Sequence, residues 1–494
     1  MPGRRLPRAT PESRGLPSGA VAAFLDAAAD SQELHSLMVV VRGAVVAEGW
    51  WAPYEPDRPH YLFSLSKSVT STAVGFAVAE GLLSVDDRVV DHLPEDVPAQ
   101  PHPNLGSMRI RHLLTMTTGH DTDATDATFA APHWVRAFLA LPVDHEPGSH
   151  FVYNTAATYV LAAIVQRVTG ERLLDYLTPR LLDPLGVEGA TWEQSPQGVD
   201  VGGFGLSMTT EDVACLAELY RCDGRWADRQ VLPPGWAAQA SARHTASRGT
   251  GPEEPGRASD WTQGYGFQFW RGRHGTYRGD GAFGQFALVL PDQQAVVAIT
   301  AGTGDMQGLL DLVWAHLLPA LATRPDAVLP PDEAAAGALR RRLAGLRLDS
   351  PVGDALPTVD LGGRPLAFEP NPHGVESAVV TAGPSGVRLD VRLADDVVVG
   401  LDAGYGTWVP GVLPQLAAWQ GARPDPRAAD PTVPVACAAA WATPDTLLVT
   451  VQLVGSPLGL HLTVRYDGDV VRVSADLNAW FRPTHVADLV GVLA

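Results

Sequence analysis

Ser64 and Lys67 are the residues of this chain best placed to do chemistry. They lie three apart in Tyr61-Leu-Phe-Ser64-Leu-Ser-Lys67-Ser-Val-Thr-Ser-Thr-Ala-Val-Gly-Phe-Ala-Val-Ala-Glu80-Gly81. The stretch reads as a buried helix with Ser64 at its N-terminus, and residues three apart share a helical face, so hydroxyl and amine can meet. A serine hydroxyl is a weak nucleophile until a neighbouring base removes its proton, and a desolvated lysine can be that base. Burial, nearby positive charge and a helix N-terminus each favour the neutral amine. The spacing alone says little, because a capping serine followed by a solvated lysine looks the same. Composition argues for chemistry: Lys67 is the only lysine among the 36 basic residues, every other one being arginine. Arginine keeps its charge and cannot serve as a base. The flanking residues are apolar, which suits a buried amine.

Other patterns fail on their surroundings. Gly279-x-Gly281-x-x-Gly284 fits a dinucleotide fingerprint, but a strand-like run follows where a helix is required. His145-Glu-Pro-Gly-Ser-His150 has the wrong spacing for a zinc helix, and Pro147 and Gly148 would break one. A Gly-x-Ser-x-Gly elbow does not occur, so an α/β-hydrolase nucleophile is unsupported. His120 reads as a loop histidine. Cys215, Cys222 and Cys437 make no disulfide framework, and the first two, seven apart on one helical face, read as packed thiols. No metal or cofactor is expected.

Phe63-Ser-Leu-Ser-Lys-Ser-Val-Thr-Ser-Thr-Ala73, followed by Gly81-Leu-Leu-Ser-Val-Asp-Asp87, resembles the penicillin-recognising serine hydrolases. The nearest branch is the class C β-lactamase-like esterases and amidases, which includes 6-aminohexanoate-dimer hydrolase. Tyr153-Asn154-Thr155 resembles that family's second motif, and Gly202-Gly-Phe-Gly-Leu-Ser-Met-Thr-Thr-Glu-Asp212 the stretch before its later helix. The third motif falls at Gly279-Asp280-Gly281, before Ala282. The resemblance spans about residues 10 to 320. It implies a Ser64 acyl-enzyme, Lys67 and Tyr153 sharing the proton work with a phenolate favoured by the ammonium, and an oxyanion held by the Ser64 and Ala282 amides. Gly279, Asp280 and Gly281 are then the substrate-binding strand. Two departures stand out: Thr155 replaces the motif's usual Asn or Ser, and Gly279 replaces a cation that binds substrate carboxylates. A small neutral ester or amide is therefore the expected substrate. The alternatives are an acyltransferase or penicillin-binding-protein-type peptide cyclase of the same fold, and a catalytically silent binding protein.

These residues need a scaffold, and the 494 residues allow two or three domains. Ser18 to Ala29 reads as an amphipathic helix, and 37–42 and 44–49 as strands. A mostly helical block runs from Ser84 to about Gly198, including helices at 110–118 and 159–168. Thr209 to Cys222 is a helix opened by Thr-Thr-Glu-Asp. Strands resume at 265–270, 285–290 and 295–300, before a helix at 307–321. Two early and three late strands around a helical insertion predict an α+β fold, an antiparallel sheet with flanking helices of the β-lactamase/transpeptidase kind. Residues 1–322 form this expected domain and 323–349 a linker and short helix. Residues 350–494 form an all-β domain, sandwich or barrel, with strands expected at 376–381, 387–392, 396–401, 434–441, 446–454, 461–466 and 469–474.

A hydrophobic content of 46% with 18% charged residues is that of a globular protein, and a net charge of −19 argues against nucleic acid or anionic membrane as partner. Neither a secretory signal nor a membrane span is visible, so a cytoplasmic location is expected. Oligomeric state is not legible.

Overall fold

The computed structural model describes residues 6–248, 257–321, 327–359, 361, 363–394, 397–414, 432–481 and 483–493. Part of the expected linker (323–326) and the start of the strand expected at Asp396 lie outside them.

The first domain is built on an antiparallel sheet of six strands: β1 (Leu34–Val41), β2 (Ala44–Trp50), β3 (Trp270–Arg271), β4 (Tyr277–Gly281), β5 (Gln285–Leu290) and β6 (Ala295–Ala301). Their order is β2-β1-β6-β5-β4-β3, so the early hairpin pairs with the last strand. Successive side chains point to opposite faces. Met38 and Val40 join the larger core, beneath the helical insertion, while Leu37, Val39 and Val41 join a second core. Both faces are covered, which is why β1, β5 and β6 are nearly unbroken apolar runs although the sheet is antiparallel. The second core is closed by α1 (Ser18–Ala29) and by the helical segment Met306–Leu317. The larger core holds α2 (Ser66–Ala79), α3 (Thr155–Thr169) and α4 (Thr210–Arg221). The expected Thr209 N-cap is present, with Asp212 reciprocating as a capping box. Cys215 is packed in this core, and Cys222 lies against Glu218.

Two elements differ from expectation. Tyr265–Trp270 is not a strand: the chain folds back so that Tyr265 bridges Trp270, and only Trp270–Arg271 joins the sheet. Gln268 is the cause. Its backbone is left-handed (φ 64), its side chain binds the carbonyls of Leu113 and Leu114, and its carbonyl accepts from Ser68. Those buried bonds hold it out of a ladder. The helix expected over 110–118 stops at Leu114, because Met116 turns left-handed (φ 58) and packs beneath Tyr153.

After the first domain, α5 (Glu333–Ala344) contributes Leu339 to the second core, and Ala52 and Arg347 form a bridge. The remaining strands are β7 (Pro365–Phe368), β8 (Val375–Ala382), β9 (Gly386–Leu393), β10 (Val398–Tyr405) and β11 (Val409–Pro414). They continue as β12 (Thr432–Thr443), β13 (Thr446–Leu453), β14 (Gly459–Asp467), β15 (Val470–Leu477) and β16 (His485–Leu493). The order β10-β9-β8-β7-β16-β15-β14-β13-β12-β11 closes through a parallel β10–β12 pairing, so the all-β domain is a barrel. Alternate residues Val435, Cys437, Ala439 and Trp441 fill it. β7, β11 and β16 were not expected, and prolines in β7 and β11 mask them.

The barrel sits against the first domain through two of its loops. Tyr61 donates its amide to Gly455 O (2.8 Å) and Tyr54 its hydroxyl to Ser456 O (2.9 Å). Glu33 accepts from Gln452 and from Asn478 (2.7 Å), and also bonds His35 (3.0 Å). His35 meets His60 at 3.1 Å and stacks on Tyr54. No helix among the described residues is long and apolar enough to cross a membrane.

Candidate active site

Ser64 lies in a 3-10 turn, Phe63–Leu65, that runs into α2. Phe63 is left-handed (φ 46), so the chain enters the helix through a sharp corner. Ser64 is not an N-cap residue, and neither this turn nor α2 has a side-chain cap. Its hydroxyl bonds Lys67 instead.

Lys67, on the first turn of α2, is 1% exposed. Its Nζ lies 2.8 Å from Ser64 Oγ, 3.1 Å from Thr155 Oγ1 and 2.7 Å from Gly203 O. An ammonium would donate to all three. A neutral amine has two hydrogens and one lone pair, so donating to Gly203 O and Thr155 leaves the lone pair for the Ser64 proton. Burial pushes the Lys67 pKa down to about 7, against an upward pull from Asp123 and Asp280. Near neutral pH the amine is therefore available as a base.

Thr155 opens α3, and Asn154 is its N-cap, its side chain accepting from the Ala157 amide. The third position of the Tyr153 motif thus does reach the lysine, with a hydroxyl in place of an amide or serine. Gly203 brings its carbonyl into the site because it has no side chain: a Cβ there would lie 2.6 Å from Thr155 Cγ2 and 2.9 Å from Thr155 O. Neither contact was visible in advance. The Gly202-Gly203 pair was the available signal, as glycine marks close backbone approach.

Tyr153 packs on Trp270 (centroids 5.3 Å apart, stacked) with Tyr265 edge-on, and the Lys67 amine lies 4.9 Å from its ring centre. Burial raises the phenol pKa strongly, and contact with the Ser64 hydroxyl lowers it only in part. Burial thus works against the phenolate expected beside an ammonium and toward a phenol able to donate.

The end of β4 packs directly on the entry to α2. A Cβ on Gly281 would lie 2.1 Å from Leu62 O, so the strand closes on the backbone just before Ser64, and Ala282 follows. Gly279 leaves no open room: a Cβ there would lie 3.0 Å from Ser68 Oγ and 3.3 Å from Leu65 Cγ. Gly279 and Gly281 therefore pack the strand onto α2, and Asp280 on the opposite face takes Arg278 Nε at 2.7 Å, both groups buried. Burial raises the Asp280 pKa despite that pairing. His120 is buried, bonded to Thr118 and lying against Phe138, with burial lowering its pKa to about 4. Among the described residues, Asp121, His145 and His150 could bring ligand atoms within 4.8 Å of one another. The His145 and His150 rings stack with centroids 4.2 Å apart, and His145 bonds Asp121 at 3.0 Å.

Beyond Ser64 and Ala282 the character changes. Phe63 and Phe283, both left-handed (φ 46 and 65), pack edge to face at 5.3 Å. Barrel residues Ala479, Trp480 and Leu458 join the same cluster. Phe481 meets Phe283 at 4.8 Å and Phe63 at 5.9 Å.

A family model described as Beta-lactamase matches residues 19–315. The 6-aminohexanoate-dimer hydrolase of Paenarthrobacter ureafaciens is 26% identical over 279 residues, covering 52% of this chain and 70% of that protein. Penicillin-binding protein 4 of Amycolatopsis lactamdurans is 26% identical over 362 residues, covering 64% of this chain and 90% of that protein. A solved Bacillus anthracis structure assigned as a 6-aminohexanoate-dimer hydrolase shares the fold. It matches with a TM-score of 0.50 and 17% identity, over 69% of this chain and 87% of that one.

Proposed function

The chain belongs to the beta-lactamase family of serine hydrolases, and on that premise we propose that it cleaves a small neutral ester or amide through an acyl-enzyme on Ser64. The observation that carries this reading is the buried amine of the only lysine, 2.8 Å from Ser64 Oγ, with its pKa lowered to about 7.

In the proposed cycle Lys67 takes the Ser64 proton as Oγ bonds to the substrate carbonyl carbon. The amides of Ser64 and Ala282 receive the developing oxyanion, the role for which preorganised backbone donors are best suited. Tyr153, a neutral phenol touching the Ser64 hydroxyl, donates a proton to the departing oxygen or nitrogen, and Lys67 returns one to the phenol. Water then attacks the ester of Ser64 by the same route in reverse, giving a carboxylic acid and free serine. Neutral substrates fit because the arginine of β4, Arg278, is fully buried and paired with Asp280, leaving it no part in holding a substrate carboxylate.

The test is intact mass after exposure to a fluorophosphonate, with p-nitrophenyl esters as substrates. One covalent adduct, absent in Ser64→Ala, is expected together with ester turnover. Labelling that persists in Ser64→Ala would rule the proposal out.

A further inference from the structure

We propose that the barrel loop Asn478–Phe481 supplies the apolar wall of an acyl-chain subsite, so that the enzyme prefers esters or amides of medium-length apolar acids. This deepens the reading of Ser64 as nucleophile and rests on it.

The argument begins with direction. Carbonyl chemistry at Ser64 fixes the oxyanion between the Ser64 and Ala282 amides. The leaving group must face its proton donor, so it points toward Lys67 and Tyr153. Tyr153 belongs to an aromatic cluster with Met116, Phe151, Tyr265 and Trp270. The acyl chain leaves the carbonyl carbon on the other side. There the residues following Ala282 and preceding Ser64 are Phe283 and Phe63, members of a separate cluster that the barrel completes.

The character of that second cluster identifies its ligand. Phe63 and Phe283 hold left-handed backbone conformations that bulky residues rarely adopt, and such strain persists where the surroundings over-determine it. Here the two rings press on each other, on Trp480 and on Phe481. Phe481 nevertheless remains 56% exposed. A large ring left half in water beside three other aromatics offers apolar surface to a ligand. Asn478 holds this loop in place: its side chain donates to Glu33, Gly302 O and Pro457 O, while its Oδ1 accepts from Gly459. The wall is thus anchored to both domains, and a flexible alkyl or aryl-alkyl acyl chain matches it in chemistry.

The experiment compares p-nitrophenyl acetate, butyrate and octanoate, which share one leaving group. In the native protein kcat/KM should rise from acetyl to octanoyl. Phe481→Ser should lower the octanoyl-to-acetyl ratio by about tenfold, the lower end of what a methylene-sized apolar contact is worth in discrimination. Phe481→Leu should fall between, which separates lost contact from lost folding; melting temperatures accompany each variant. A ratio unchanged in both variants, with Ser64 still labelled by fluorophosphonate, overturns the wall and leaves the nucleophile standing. Absence of labelling in the native protein overturns both.

Discussion

The two ends of the site are built on different plans. At one end Lys67, Thr155, Gly203 O and Tyr153 surround the Ser64 hydroxyl with polar groups, all from the first domain. At the other, Phe63 and Phe283 meet Trp480 and Phe481 across the junction of two domains. The difference is one of tolerance. Proton transfer requires heavy atoms within about 3 Å of one another, so its parts are fixed on segments of one domain. Apolar recognition is non-directional and scales with area, so a loop delivered by a second domain can supply it. Chemistry is local here, and on our proposal selectivity is shared.

The strongest way to break this comparison is at the polar end. Lys67→Arg keeps the charge and removes the base, so acylation should fall by at least about 10²–10⁴-fold. Single-turnover burst kinetics measure it, and a variant within about threefold of the native rate, far short of that range, would end the Ser64–Lys67 assignment. Next comes Gly203→Ala. Its new methyl group must push against Thr155 and shift the carbonyl that holds the lysine. A misplacement of this kind should cost about 10²-fold in kcat for acetyl and octanoyl esters alike. A change in the ratio of the two would blur the boundary drawn between the ends.

The pH profile is a smaller and finer probe. With the Lys67 pKa near 7, kcat/KM should rise as pH increases through that value, because only the neutral amine accepts the serine proton. Asp280 pulls that pKa upward. Asp280→Asn should therefore move the rising limb to lower pH, read from rate profiles between pH 5 and 9. An unmoved limb would remove Asp280 from the electrostatics of the lysine.

The smallest effect belongs to the junction. Burial holds His35 and His60 neutral, their pKa values lowered below the ordinary 6.5, with Glu33 opposing the shift at His35. The unfolded chain takes up protons below about pH 6.5 that the folded one refuses, so stability is retained above that pH and falls as pH drops toward the folded-state values. Melting temperature should decline over that window, and His60→Asn should flatten the decline. If the junction carries selectivity, the octanoyl-to-acetyl ratio should fall over that window, whereas protonation of Lys67 lowers both rates alike and leaves the ratio unchanged.

The polar end was largely legible in the sequence, because Ser64 and Lys67 are neighbours on one helix and a solitary lysine among arginines is a compositional oddity. Tyr153 was reachable through its motif. The Gly203 carbonyl was not, since a backbone acceptor has no side-chain signature. The upward push of burial on the Tyr153 phenol was not legible, because burial is a property of the packed fold. The sheet could be read where strands are apolar on both faces, as in β1, β5 and β6. It was misread at Tyr265–Trp270, where one buried glutamine satisfies itself across the core. The aromatic end was invisible for a simpler reason: nothing local ties Phe481 to Phe63.

The contact between Asn478 and Glu33 joins residues 445 positions apart, and the barrel seam pairs β7 with the last strand, β16. Ser64 and Lys67 thus lie far ahead of Trp480 and Phe481 in the order of synthesis. The barrel cannot close before His485–Leu493 has emerged from the ribosome. On our proposal a chain at that stage would acylate Ser64 without discriminating among small esters. A chain ending at Leu477 is expected to be acylated on Ser64 yet to treat acetyl and octanoyl esters alike; retained discrimination by that shortened chain would remove Trp480 and Phe481 from selectivity.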